Sequence, residues 1–69
     1  MSHPHDADYL LRLFAPVNRG GHLLLETWHR VEASKDVELA AAKARHARGE
    51  IGRIELVDLR KHVTTQVIP

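Results

Sequence analysis

Sixty-nine residues accommodate one domain, and a chain of that length buries only about 60% of the surface its unfolded form exposes. With 43% hydrophobic and 28% charged residues the composition is globular, too apolar for disorder and too polar for a membrane protein. Ten Lys and Arg against nine Asp and Glu leave a net charge of +1, which excludes both an acidic mimic of nucleic acid and a generally polybasic binder. The absence of cysteine removes disulfides and thiolate zinc sites.

In chain order, residues 1–8 lack apolar periodicity and are expected to form a flexible tail, leaving 9–69 as the domain. No basic, then apolar, leader opens the sequence, so export by that route is not expected. Tyr9 to Ala15 reads as a strand and His22 to Val31 as a second. The Pro16, Asn18, Gly20 and Gly21 between them supply fixed or positive φ for a hairpin loop. A rival reading caps a short helix over 9–15 with Asp6 or Asp8 and ends it at Pro16. Ser34 suits a helix N-cap, and Val37, Ala40, Ala41, Ala44 and Ala47 recur at the spacing of one helical stripe, with Gly49 as the stop. Ile51 to Leu59 and the β-branched run His62 to Ile68 then form a second hairpin around residues 58–61. The order strand, strand, helix, strand, strand implies an α+β fold: a four-stranded antiparallel or mixed sheet with one helix packed on one face. Were the second and third strands parallel neighbours, their crossover through the helix would be right-handed.

One slender, alanine-striped helix covers one face of such a sheet and leaves the other to solvent, a partner or a second copy. Alternation along the strands assigns Tyr9, Leu11, Leu13 and Ala15 to the helix side, with Leu23, Leu25, Thr27, His29 and Val31. It assigns Leu10, Phe14, Leu24 and Trp28 to the open side, flanked by Arg12, Arg30, Arg53 and Glu55. An aromatic and apolar patch ringed by arginine has the composition of a protein-binding surface. A register off by one, or Trp28 packed as core, is the competing assignment. The candidate partner-binding residues are therefore Arg12, Phe14, Leu24, Trp28, Arg30 and Arg53.

Other chemistry finds weaker support. His3 and His5 beside Asp6 and Asp8 can chelate adventitious metal from a tail, but His22 and His29 differ in parity and no two histidines fall at i, i+4 on the helix, so no native metal site is expected. Glu26 and Glu55 read as surface partners of arginine rather than a catalytic carboxylate pair. With no cysteine nucleophile, no phosphate-cradling glycine loop and little room for a pocket, neither enzymatic activity nor a cofactor is expected. Stacking of unpaired bases on the same aromatic and arginine face is the second choice after protein binding, and a homodimer burying that face is the third.

The Gly20-Gly21 hairpin, the Ala33-Ser34 entry into an alanine-rich helix and the Gly52-Arg53-Ile54-Glu55-Leu56-Val57-Asp58 run before a final strand resemble the very small strand–strand–helix–strand–strand proteins encoded by phages and prophages, among them anti-CRISPR proteins. The resemblance is one of architecture and size over residues 9–68. It implies a stoichiometric inhibitor, without cofactor or turnover, that docks on a bacterial effector, such as a subunit of a nucleic-acid-guided complex, in the host cytoplasm. It assigns no individual residue. Alanine, arginine and histidine usage with few lysines fits a high-GC bacterium or its phage.

Overall fold

The computed structural model describes residues 7–69. Its elements are β1 (Tyr9–Phe14), a 3-10 turn (Val17–Arg19), β2 (Leu23–His29), α1 (Glu32–Ala47), β3 (Arg53–Asp58) and β4 (Val63–Ile68). The strands form one open sheet in the order β2-β1-β3-β4, with every neighbouring pair antiparallel. The expected α+β architecture is the one observed, and Tyr9–Phe14 is a strand, not the rival helix. β2 and β3 both run antiparallel to β1 and so parallel to each other, one strand apart; they are not neighbours, and α1 makes the crossover between them. Of the expected tail, residues 1–6 lie outside the described residues. Ala7 is buried, and Asp8 is tied in on both sides: its amide donates to His29 O at 2.9 Å and its carbonyl accepts from Leu59 N at 2.8 Å.

Turn chemistry sets the hairpins. Gly20 and Gly21 adopt φ of 105° and 64° after the 3-10 turn, the left-handed region open to glycine. Gly52 serves a different end: a Cβ there would collide with the Pro16 backbone, and its amide donates to Phe14 O at 2.8 Å, holding the start of β3 against the end of β1. α1 stops where glycine permits it, with Gly49 at φ 80°. Arg48 and Arg45 then clamp Glu50 at 2.6 and 3.3 Å. Those bonds, that from Arg48 foremost, hold the Glu50 carboxyl below its ordinary pKa.

The core is Leu11, Leu13, Ala42, Ile51 and Ile54, with Leu39, Leu56, Val67 and Ile68 packed against it. α1 therefore meets the sheet through Lys35, Leu39, Ala42 and His46, and the alanine stripe is wrongly placed by the sequence reading. Val37, Ala40, Ala41, Ala44 and Ala47 are all exposed, on the opposite side of the helix. Both sets satisfy the 3.6-residue period. The set that wins contains α1's only leucine, and Lys35 adds an aliphatic stem. It is also anchored by hydrogen bonds: His46 Nδ1 lies 2.8 Å from Ile51 O, so His46 is half-buried, not on the helix's polar side. Ser34 likewise does not cap the helix. The N-cap is Val31, and the Ser34 hydroxyl lies 2.9 Å from His29 Nδ1, whose Nε2 lies 2.8 Å from the Thr27 hydroxyl. The buried imidazole thereby finds partners for both ring nitrogens.

This rotation of α1 predicts opposite outcomes for two nearby substitutions. Ala42→Glu, which places a carboxylate in the core, is expected to destabilise by about 3 kcal/mol or more. Ala44→Glu on the exposed stripe is expected to change stability by no more than about 0.5 kcal/mol. Chemical denaturation of the two variants measures both.

Candidate functional site

The face turned away from α1 is built in register rows across the sheet. One row is Trp28–Leu10–Val57–Thr64, the next Glu26–Arg12–Glu55–Gln66, and a third brings Leu23, Phe14 and Arg53 together. The side of the sheet assigned from alternation thus holds for Leu10, Arg12, Phe14, Trp28, Arg53 and Glu55, but the environments differ from those expected.

Leu10 is not part of an exposed patch. It is 2% exposed although it faces away from the helix, because a central strand's side chain is crowded by its cross-strand neighbours, here Trp28 and Val57. Trp28 itself, on the edge strand, stays 39% exposed. The middle row is an ion ladder. Arg12 Nε is 2.9 Å from Glu26 and Arg12 Nη1 is 3.6 Å from Glu55, while Gln66 donates to Glu55 at 2.8 Å. At the far end the Arg53 guanidinium lies 3.9 Å from the Phe14 ring centroid and 3.9 Å from Glu55. Phe14 is accordingly half-buried, with one ring face occupied by that cation. Arg53 Nε is buried without a hydrogen-bond partner among the described residues, an unmet donor at the rim of the face.

Two corrections concern β2. The expected strand His22–Val31 is shorter, and Arg30 and Val31 lie in the bend that leads into α1. Arg30 is exposed there, outside the strand rows. A bulge opposite Leu13 and Phe14 shifts the register, so Leu25 pairs with Leu13 whereas Leu23 pairs with Phe14. Strict alternation, which places Leu23 with Leu25, fails at that extra residue. Leu23, Leu24 and Leu25 are each 44% exposed, and sequence reasoning singled out only Leu24. The missed signal is the triplet itself. Three successive leucines cannot all face a core in a strand of period two unless the strand is covered on both sides, and β2 is an edge.

Among the described residues no cluster of three or more His, Asp and Glu could hold a metal ion; His3 and His5 fall outside them. No helix of the described residues is long and apolar enough to cross a membrane.

The ladder makes a prediction about coupling. Glu55 keeps only 14% of its side chain exposed, so removing Arg12 leaves a largely buried carboxylate with Gln66 and the more distant Arg53 as its partners. In a double-mutant cycle of Arg12→Ala and Glu55→Ala, the two losses should sum to more than the loss in the double variant by about 1 kcal/mol. Urea denaturation of the four proteins reads this directly.

A scan against protein-family models and searches of curated proteins and of solved structures find no match to this chain, so the reading of this face rests on its own chemistry.

Proposed function

We propose that this chain is a non-enzymatic protein-binding module that docks on its partner through the open face at Trp28 and the adjoining edge of β2. The observation that carries the reading is where exposed apolar area gathers. Of the eight large apolar side chains left exposed among the described residues, Leu23, Leu24, Leu25 and Trp28 lie on β2 and Val31 lies two residues beyond its end. Scattered exposed apolar residues are ordinary, but a concentration of them along one edge strand, with Leu25 on the helix side and Leu23 and the chain's only tryptophan on the open side, marks an interaction edge. Arg30, exposed in the bend after β2, adds a cation beside this edge, Arg12 and Arg53 lie further across the same face, and β2 as an edge strand adds backbone groups to which a partner can hydrogen-bond. The version we favour is a stoichiometric inhibitor of the phage-encoded, anti-CRISPR type that acts on a bacterial effector protein in the cytoplasm, as the resemblance in size and architecture implies.

Base stacking on the same face is the weaker reading. Arg12 is neutralised between Glu26 and Glu55, and one ring face of Phe14 is occupied by Arg53. That leaves Trp28 and Arg30 as the stacking surface and cation on offer, without the continuous basic groove that tracks a nucleic-acid backbone.

The test compares wild type with Trp28→Ala and Arg30→Glu in affinity capture from bacterial lysate, with circular dichroism establishing that each variant stays folded. A partner held at one-to-one stoichiometry should be lost on Trp28→Ala, with affinity falling by about 2 kcal/mol, roughly thirtyfold. A partner retained undiminished by both variants contradicts the reading. Binding of a mixed-sequence oligonucleotide that weakens steeply with salt points instead to nucleic acid.

A further inference from the structure

The helix side of the sheet is incompletely covered. α1 packs on β1, β2 and β3, and the start of β4 is left bare, with Val63 50% exposed. Between α1 and the β3–β4 hairpin lies an open cleft of about 640 Å³ lined by Tyr9, Glu32, Lys35, Leu56, Asp58, Arg60, Lys61, Val63 and Thr65. That volume lies within the range of ligand sites, roughly 300–1,000 Å³, although the cleft is open to solvent, and it offers more room than the sequence led one to expect. Register explains why these residues meet: Tyr9, Asp58 and Val63 form one row, and Leu56 and Thr65 form part of the next.

The polar lining is dominated by donors. Lys35 Nζ lies 5.0 Å and the Arg60 guanidinium 5.1 Å from the centroid of the same buried Tyr9 ring, and Arg60 Nη2 donates to the Tyr9 hydroxyl at 2.6 Å. Lys61 adds a third cation and Thr65 a hydroxyl. Lys35 is only 9% exposed, yet its bond to Asp36 holds the ammonium above its ordinary pKa and so keeps it charged. Asp36 itself points largely to solvent. Of the two lining carboxylates, Asp58 is committed to its own turn, accepting from the amides of Arg60 at 3.0 Å and Lys61 at 3.3 Å, and its Oδ1 lies 3.7 Å from Arg60 Nε, so it offsets part of that cation while the Arg60 fork keeps further donors. Glu32 remains as the single opposing charge without an ion pair among the described residues. Three cations and a hydroxyl above an apolar floor of Tyr9, Leu56 and Val63 match a ligand with an anionic head and an apolar body.

We propose that this cleft binds a small organic anion, a carboxylate or phosphate carried on a short apolar chain. The site lies on the side of the sheet opposite the Trp28 face, so its failure leaves the proposed function untouched.

Amide NMR shifts of 15N-labelled protein, titrated with hexanoate, hexyl phosphate and hexanol at constant ionic strength, test it. Either anion should saturate shifts centred on Lys35, residues 58–61 and Thr65 with Kd on the order of 1 mM. The tighter of the two identifies the head group. Hexanol should bind about tenfold more weakly, and Lys61→Glu should weaken anion binding about tenfold with the rest of the spectrum unchanged. The exposed turn position makes that variant benign to folding, and a parallel salt titration, which should weaken binding by the anions and not by hexanol, provides an independent reading. Absence of saturable shifts, equal binding of hexanol, or shifts confined to the Trp28 face overturns the proposal.

Discussion

A single sixteen-residue helix cannot shield both faces of a four-stranded sheet, and the rest of this structure follows from how the chain meets that constraint. On one face Leu39 and Ala42 seat α1 over Leu11, Leu13 and Ile54, in the cluster where Leu11, Ile51 and Ile54 lose nearly all contact with water. That cluster is small, and burial at about 25 cal/mol per Å² yields modest stability for a domain of this length. On the other face the described residues supply no second layer. The chain closes the centre of that face laterally: Leu10 is crowded between Trp28 and Val57, and Arg12 is held between two glutamates. Apolar area that cannot be closed in this way is left at the β2 edge.

This division explains which parts of the molecule were legible in its amino acids. Strand and helix positions follow from turn residues and propensities, and the hairpins at Gly20-Gly21 and residues 58–61 lie where those residues demand. The strand identity of Tyr9–Phe14 is likewise decided by tertiary pairing: β1 is hydrogen-bonded on both sides, which no local capping signal at Asp6 or Asp8 can match. The rotation of α1 is different. The Val37, Ala40, Ala41, Ala44, Ala47 set and the Lys35, Leu39, Ala42, His46 set are equally periodic, and the choice depends on hydrogen bonds at the two helix ends, Ser34 to His29 and His46 to Ile51 O, which form once the adjoining strands dock. The bulge in β2 is a second case, since one extra residue transfers Leu23 to the row of Phe14 and no local signal announces it.

The candidate docking residues fare unequally for the same reason. Trp28 and Leu24 keep exposed area because they sit on an edge strand. Arg12 and Arg53, chosen as free arginines at a rim, are largely engaged by Glu26, Glu55 and Phe14, so their contribution to a partner would come through geometry already set before binding, with little side-chain ordering left to lose. The cleft beside β4 was missed altogether, because its lining is assembled from three separate stretches of chain, β1, the start of α1 and the β3–β4 hairpin, and arises from where α1 stops covering the sheet.

The account stands on Trp28 lying on the side of the sheet that α1 does not cover, and as the chain's only tryptophan it can be interrogated directly. Acrylamide quenching of its fluorescence in the folded protein is the most direct measurement. The structure predicts red-shifted emission and a quenching constant that is a substantial fraction of that of free N-acetyltryptophanamide. Blue-shifted emission with quenching almost abolished would place the indole in the core and contradict the account.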